Sequence, residues 1–404
     1  MRRIIGGVLA AGMGWATYGA IRLAWADRLA HSDSEAQVRE GLRMAPDNAG
    51  YWLHWADLEQ ARGETGGLGI ERASEADPYE AEVWIRAGLQ AETDGNFVQA
   101  EQRLLRGAKQ SLQYEPRWTL ANYYYRRNDP EHFWPWAKSA LEWSYGDRGL
   151  LFDLCWKMKP DADVILERAI PDRANVLRDY LAYLLRENRS DAALGVAGKL
   201  EGQASNQDRD LLLNYADRML DQRRWQAALS AWNALCLRKV VHYSPLDASR
   251  GPILTNGAFT GPPLNSGFDW RLPEVKGVAA VYNDAPPSLR FDFSGNQPEN
   301  CTVVYQLVPA VSGKRYALRF EYRTEGIEPE TGLQWMVRDG ATGAEILTPP
   351  LNLSSDSWTQ GGLAFAVPQG VQATAVTLIY RRQPGTVRIE GTAWLRNVGM
   401  ELLP

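Results

Sequence analysis

Residues 51–58 read YWLHWADL, and residues 83–90 and 117–124 follow with VWIRAGLQ and RWTLANYY. The three tryptophans, Trp52, Trp84 and Trp118, stand 32 and 34 residues apart at the same point of an apolar pattern with helical spacing. A fixed period of this length predicts stacked helix pairs, which bury a continuous core between neighbours. The period therefore predicts a chain built mainly to hold a partner.

Small residues support the same reading further along the chain. Ala193 and Ala228 are 35 residues apart and predict two more pairs, because small residues at fixed offsets let helices nest. Residues 147–171 fall outside the period. The sequence predicts five or six helix pairs over residues 31–242, the first of them from about Ser34 to Gly63. The spacing resembles that of tetratricopeptide repeats over about 34–240, a resemblance that implies an α-solenoid scaffold for protein binding.

The pattern changes near residue 243, where Ser244-Pro245 and Gly251-Pro252 end the helices. Residues 243–251 are predicted to form a hinge, and 252–404 a second domain. Apolar residues then alternate with polar ones, which predicts eight or so short strands in a β-sandwich. The residues expected to share an inward face include Leu289, Phe291, Phe293, Cys301, Val303, Tyr305, Leu307, Phe320, Tyr322, Trp335 and Tyr380.

Two motifs frame this second domain. It opens with LTNGAF (254–259) and GFDW (267–270), and it ends with TAWLRNVGM (392–400). These motifs resemble the first and last strands of jelly-roll carbohydrate-binding modules. The resemblance implies two packed antiparallel sheets and a glycan-binding cleft along one of them. The strand aromatics depart from the glycan-binding pattern, because they alternate as core residues do.

The N-terminal segment carries a membrane signal. Arg2 and Arg3 precede an uncharged run from Ile4 to Ala20, and Arg22 interrupts the apolar residues before Ala26. About 20 apolar residues span a bilayer, so residues 4–26 are predicted to form a membrane anchor within 1–30. Basic residues before the run favour a cytoplasmic N-terminus, which predicts a single-pass protein of a bacterial inner membrane with its body in the periplasm. A cleavable signal peptide is the alternative.

Charge and cysteine usage narrow the function. The 404 residues carry a formal net charge of -5, so no basic field favours nucleic acid. Three cysteines, Cys155, Cys236 and Cys301, exclude a fully paired disulfide framework within one chain. They are predicted to be small buried hydrophobic residues, with a Cys155–Cys236 bridge as the alternative in an oxidising compartment.

Signs of catalysis are absent from the sequence. None of the four histidines, His31, His54, His132 and His242, has the spacing of a metal ligand or a catalytic triad. The glycine-rich stretch 66–69 lacks the lysine of a phosphate-binding loop. We therefore expect a binding protein without cofactor or metal, and not an enzyme.

The polar residues of the strands form the candidate ligand site. If they project from one curved sheet, they line a groove whose guanidinium groups suit carboxylate or phosphate. The alternative is a solvated face whose Arg–Glu pairs contribute little. Two aromatic residues in loop-like segments are either exposed stacking residues or lids over the core. The candidates are Arg319, Glu321, Arg323, Gln334, Arg338, Arg381, Arg388, Glu390, Trp270 and Tyr282.

Together these features predict a membrane-anchored periplasmic scaffold. Its helical repeats would bind an envelope protein, and its sandwich would bind a glycan, with an acidic polysaccharide as the candidate, in polysaccharide export or envelope assembly. One alternative is a pure protein scaffold whose sandwich caps the solenoid, because solenoid ends need a cap. A glycan-modifying enzyme is the third.

Overall fold

The computed structural model describes residues 2–349 and 352–404, with side chains from Gly12 onward. The backbone divides into two compact units, Met1–Val176 and Leu177–Pro404. The first unit is helical, and the second combines the last helices with two β-sheets. The predicted order, helices and then strands, is confirmed.

Helices fill the described part of the first unit. Helix α11 (Ala174–Arg186) starts there and continues into the second unit. The others are α1 (Arg2–Ala30), α2 (Glu35–Met44), α3 (Ala49–Ala61), α4 (Gly67–Ala76), α5 (Ala81–Thr93), α6 (Phe97–Gln110), α7 (Tyr114–Arg126), α8 (Pro130–Trp143), α9 (Gly149–Met158) and α10 (Ala162–Arg168).

Short polar side chains begin several of these helices. Asn48, Asn96 and Asp129 each accept a hydrogen bond from the backbone amide three residues ahead. An oxygen at this position satisfies an amide that has no partner inside the helix. The loops between the helices are short, so successive helices pack against one another.

The pairing of the helices begins earlier than the sequence predicts. The expected first pair, residues 34–63, is instead α2 and α3, which belong to different pairs. Helix α2 packs on α1, because Gly41 lies against its backbone. A Cβ atom at residue 41 would come within 2.8 Å of the amide nitrogen of Ala30 and 2.9 Å of the carbonyl oxygen of Ala26. Helix α3 then opens the pair that it forms with α4.

The structure does not bear out the prediction made for the N-terminal helix. None of the helices in residues 2–349 and 352–404 is both long and apolar enough to cross a membrane. This finding contradicts the predicted single-pass, inner-membrane placement with a periplasmic body, and the anchor over residues 4–26, whose side chains are described only from Gly12, is not confirmed. Helix α1 continues to Ala30, and Ala26 and Ala30 are buried in packing with α2. Arg22, which interrupts the apolar run, donates to the carbonyl oxygen of Met44 at 2.5 Å.

Polar contacts link the first helices of successive pairs in the first unit. Arg86 of α5 pairs with Asp57 of α3. Arg126 of α7 likewise pairs with Glu92 of α5 at 2.6 Å. Partly exposed pairs of this kind contribute little free energy, so their main effect is to fix the offset between neighbouring helices.

The second unit holds three further α-helices, a short 3-10 helix (Asn206–Asp208) and nine strands among its described residues. The helices are α12 (Ser190–Glu201), α13 (Arg209–Asp221) and α14 (Trp225–Leu237). The strands are β1 (Val278–Asp284), β2 (Pro287–Ser294), β3 (Asn300–Pro309), β4 (Arg315–Glu325), β5 (Leu333–Asp339), β6 (Glu345–Leu347), β7 (Thr359–Ala366), β8 (Ala373–Arg381) and β9 (Glu390–Leu403).

The strands form a sandwich of two antiparallel sheets, as predicted. The five-stranded sheet has the order β1-β2-β9-β4-β7, and the four-stranded sheet has the order β3-β8-β5-β6. Their inner faces share one apolar core. Trp335 of the four-stranded sheet contacts Phe320 of the five-stranded sheet, with ring centroids 5.3 Å apart. Contacts of this kind hold the two sheets face to face.

One strand departs from the predicted alternation. The sequence places Cys301, Val303, Tyr305 and Leu307 on the same inward face. The pairing of β3 with β8 shifts register between Thr302 and Val304. Val303 and Val304 are therefore both buried in the core, while Tyr305 and Leu307 turn to the outer face. An extra residue in a strand reverses every side chain beyond it.

The three cysteines are free, so the alternative Cys155–Cys236 bridge is not formed. Cys155 and Cys236 are buried, which confirms the expected role for these two, and burial raises the pKa of both thiols. Cys301 is only half-buried.

Candidate functional site

The ten predicted site residues do not share one sheet. Three of them, Arg319, Glu321 and Arg323, project from β4 on the outer face of the five-stranded sheet. Three others belong to the four-stranded sheet. They are Gln334 and Arg338 of β5 and Arg381 of β8. Alternation tells which side chains point outward, but it does not tell that β4 and β5 belong to different sheets.

The remaining four candidates lie elsewhere in the sandwich. Arg388 approaches Glu299 at 3.4 Å, and Glu390 starts β9 on the surface. Trp270 is completely buried, and its ring lies 5.7 Å from that of Phe259. Tyr282 packs partly buried against the same core. Both aromatic residues therefore close the core, which is the alternative that the sequence left open.

On the five-stranded sheet, the predicted arginines are paired with acids. Arg319 contacts Glu401 at 2.6 Å, and Arg323 contacts Glu325 at 3.2 Å. Glu321 accepts from Arg396 at 2.7 Å, and this hydrogen bond holds the pKa of Glu321 below its usual value. Arg319, Arg323 and Arg396 of this outer face are thus each paired with a glutamate.

The four-stranded sheet carries a different feature. Its outer face and the turn between α13 and α14 enclose a cleft of 500 Å³, which we call the sheet–hairpin cleft. The sheet supplies residues of β3, β5 and β8, and the helices supply the turn. The principal lining residues are Leu220, Asp221, Arg223, Trp225, Thr302, Tyr305, Leu307, Arg338, Asp339, Ala375 and Thr377.

The register of the strands explains the floor of the cleft. Tyr305 lies opposite Thr377, and Leu307 lies opposite Ala375, so their side chains share the outer face. The half-buried ring of Tyr305 is the main aromatic surface on this floor. Tyr305 reaches the cleft only because of the register shift in β3.

Two arginines of the cleft have no acidic partner at ion-pair distance among the residues that the structure describes. These are Arg223, in the α13–α14 turn, and Arg338 of β5. Arg338 instead places its Nε 2.8 Å from the sulfur of Met336. A guanidinium without a carboxylate keeps its planar donors available for an anionic ligand.

Asp339 is one of two acids, with Asp221, that line the cleft. Burial raises the pKa of Asp339, but hydrogen bonds from Thr342 and Ala341 and the charge of Arg223 outweigh it, so the pKa lies below its usual value. The carboxylate accepts from the Thr342 hydroxyl at 2.7 Å and from the Ala341 amide at 2.8 Å. Asp339 is thus committed to its own turn, and it leaves Arg223 without a close salt bridge.

A group of contacts around Asp217 fixes the helical wall to the sheet. The Asp217 carboxylate of α13 accepts from the Ser266 hydroxyl and the Gly267 amide, each at 2.7 Å, and from Arg271 at 2.5 Å. The backbone of Arg271 exchanges two hydrogen bonds with Tyr305, at 2.8 and 3.1 Å. We call these five residues the Asp217 cluster. It connects α13 to the strand that carries the cleft's aromatic ring.

A second contact closes the other side of the helical wall. Trp225 begins α14 and packs against Gly340 in the turn after β5. A Cβ atom at residue 340 would come within 3.3 Å of the Trp225 ring. The cleft therefore has a wall that contacts the sandwich at both of its ends.

The predicted hinge, residues 243–251, lies within the second unit and is tied to both neighbours. The Asn233 side chain of α14 bonds the backbone of Leu246 in both directions, at 2.7 and 3.0 Å. Tyr243 donates to the buried carboxylate of Asp269 at 3.1 Å. Burial raises the pKa of Asp269 and of Tyr243. Breaking this hydrogen bond would leave two groups that are shielded from solvent without a partner, which costs free energy.

Three residues of the cleft escape sequence reasoning for separate reasons. Alternation places Tyr305 on the inward face, because a single inserted residue leaves no recognisable pattern in the sequence. Arg223 and Trp225 belong to the repeats by period, and their approach to the sheet depends on packing between residues far apart in sequence.

The comparisons with known proteins follow this division of the fold. No family model matches the chain, and no curated protein matches it. The sandwich is similar to a solved family 4 carbohydrate-binding module, at 13% identity over 37% of this chain and 98% of that one, with a TM-score of 0.31.

The helices are similar to solved tetratricopeptide proteins. YrrB, described as having an unusual peptide-binding site, matches at 13% identity over 52% of this chain and 95% of that one, with a TM-score of 0.26. PilF of Pseudomonas aeruginosa matches at 16% identity over 55% and 90%, with a TM-score of 0.27. The structure itself has the helix pairs and the sandwich of two antiparallel sheets that the two resemblances imply.

Proposed function

We propose that this chain is a non-catalytic scaffold that binds an acidic glycan in the sheet–hairpin cleft and a protein through its helical repeats. The observation that carries the glycan part is the placement of Arg223 and Arg338, two guanidinium groups without carboxylate partners, in one cleft. The expectation of an envelope protein depends on the predicted membrane anchor. The protein partner is therefore proposed without a cellular compartment.

The chemistry of the cleft suits sugar acids. A guanidinium binds a carboxylate through two parallel hydrogen bonds, which fixes both its distance and its plane. The ring of Tyr305 offers an apolar face to a pyranose, and the hydroxyls of Thr302 and Thr377 offer hydrogen bonds to its substituents. These features favour a uronic acid polymer over a neutral one.

The test is binding of the full chain to polygalacturonate and to neutral xylan by isothermal titration calorimetry. We expect the acidic polymer to bind and raised salt to weaken it, because charged contacts in an open cleft are screened. Arg338→Ala should lower the affinity about tenfold, which corresponds to about 1.4 kcal/mol. Arg319→Ala is the matched control, because Arg319 lies on the other sheet, and it should bind like the wild type. Equal binding of both polymers, or an unaffected Arg338→Ala, contradicts the glycan proposal.

A second candidate function is favoured by the Asp217 cluster. The sandwich covers part of the last helix pair, and Phe268 packs near Trp232 of α14, with ring centroids 6.3 Å apart. This arrangement is what a cap on a helical repeat requires. If no acidic polymer binds, we propose a protein scaffold whose sandwich serves as that cap.

A further inference from the structure

Two helix pairs of the first unit hold their tryptophan in the same way. The indole N–H of Trp52 donates to the carbonyl oxygen of Pro46 at 2.7 Å, and that of Trp84 donates to Pro78 at 2.8 Å. Both rings are therefore fixed at the same point of the repeat. What lies over each ring differs.

In the second of these pairs, the ring is covered by the chain itself. The guanidinium of Arg106 on α6 lies 3.7 Å from the centroid of Trp84. The residue at the same distance from the end of α4 is Arg72, which instead pairs with Glu75 at 2.8 Å. No cation lies over Trp52 among the described residues, so its ring stays open to a ligand.

The open ring forms part of a pocket of 490 Å³ between α2, α3 and α4. We call it the Trp52 pocket. Its lining is mainly apolar, and Leu68 is 53% exposed there although it is a large aliphatic residue. Its residues are Arg39, Leu42, Arg43, Pro46, Trp52, Trp55 and Leu68.

The two arginines of this pocket carry the argument for the occupant. Arg39 pairs with Glu35 at 2.7 Å, and its guanidinium lies 5.4 Å from the ring centroid of Trp55. Arg43 pairs with Glu40 at 3.3 Å, and both ion pairs lie on the exposed side of α2. Exposed pairs of this kind are weak, so another carboxylate can replace the internal one at little cost. The pocket thus presents an apolar hole beside two exchangeable cations.

We propose that the Trp52 pocket binds a protein segment in which a large apolar side chain is flanked by carboxylates. This inference rests on the proposed protein-binding role of the repeats and names its partner's chemistry. The apolar side chain enters between Leu42, Trp52 and Leu68, and the carboxylates pair with Arg39 and Arg43. A second copy of α1 fits less well, because two of its three described exposed aromatic residues, Tyr18 and Trp25, lie within four residues of Arg22.

The test uses fluorescently labelled hexapeptides that carry a central phenylalanine flanked by either glutamates or lysines. The full chain is titrated, and binding is followed by fluorescence anisotropy. We expect the glutamate peptide to bind and the lysine peptide to bind at least tenfold more weakly. Leu68→Glu should weaken the glutamate peptide at least tenfold, because it adds a negative charge to the pocket.

The matched control is Val98→Glu. Val98 is the second residue of α6, as Leu68 is of α4, and it is 70% exposed. This variant should bind the glutamate peptide like the wild type. Arg39→Ala with Arg43→Ala should bring the two peptides to similar affinity. Circular dichroism confirms that each variant keeps its helices.

Three outcomes overturn the inference. The first is binding of the glutamate peptide that Leu68→Glu leaves unchanged, in which case the repeats still bind protein but not through this pocket. The second is the absence of peptide binding, with the glycan titration then deciding whether the scaffold proposal survives. The third is a self-association in analytical ultracentrifugation that Leu68→Glu abolishes, which assigns the pocket to a second copy of the chain.

Discussion

Both outer faces of the sandwich carry arginines, and the faces differ in what those arginines contact. On the five-stranded sheet, Arg319, Arg323 and Arg396 each pair with a glutamate. On the four-stranded sheet, Arg381 pairs with Glu345 at 3.5 Å, whereas Arg338 has no acidic partner at ion-pair distance in the described part of the chain and lines a cleft. The comparison shows that outward arginines of one sandwich can serve surface pairing at some positions and keep their donors available for a ligand at another.

The core that both faces share gives the largest expected effect. Trp335 packs between the sheets, with its ring 6.3 Å from that of Trp270. Trp335→Ala should lower the free energy of unfolding by about 3–5 kcal/mol, because it leaves a large cavity. Denaturant unfolding of the full chain measures this. Trp394→Ala, at a half-exposed position of the outer face, is the control and should cost much less. Similar losses in the two variants would mean that the faces do not depend on one core.

The Asp217 cluster distinguishes the two outer faces of the sandwich, because it contacts β3 of the four-stranded sheet. A change in the cluster should therefore affect only the four-stranded face. Asp217→Ala leaves Arg271 and the Gly267 amide without their acceptor, so we expect a loss of about 1–3 kcal/mol in unfolding free energy. Binding of polygalacturonate should fall as the helical wall loses its position. Asp210→Ala on the same helix removes a carboxylate that is 93% exposed, and it should change neither quantity. An intact affinity in Asp217→Ala would show that the cleft needs no fixed wall.

The pairing of Glu321 gives the smallest effect, and it is confined to the five-stranded face. The hydrogen bond from Arg396 lowers the pKa of Glu321, so its contribution is present above the unfolded value of 4.5 and is lost as the pH falls through the folded pKa. Glu321→Gln should cost about 0.5–1 kcal/mol at pH 7. The difference from the wild type should shrink below pH 4.5, as measured by urea unfolding across pH. A difference that persists at acid pH would assign the effect to packing.

The sequence predicts the elements of this molecule better than their partners. The spacing of Trp52, Trp84 and Trp118 identifies the repeats, and alternation identifies the sandwich, because both signals are local. Tyr305 is misplaced because one inserted residue reverses the alternation. Arg223 and Arg338 come together only through packing that no local pattern records.

The end of the N-terminal helix makes a packing contact that the sequence prediction does not include. Ala26 and Ala30 face α2, and Gly41 is the residue that permits this approach. A glycine opposite two alanines was the available sign of protein packing, and it lies outside the apolar run itself.

The ties across residues 243–251 have a mechanical consequence. A polymer held in the sheet–hairpin cleft touches strands and helices together, so tension on it is shared between both walls. The Asp217 cluster and the Tyr243–Asp269 hydrogen bond would take that load in parallel with the covalent chain. A pull at the sugar would therefore reach the last helices directly, with no slack tether to extend first.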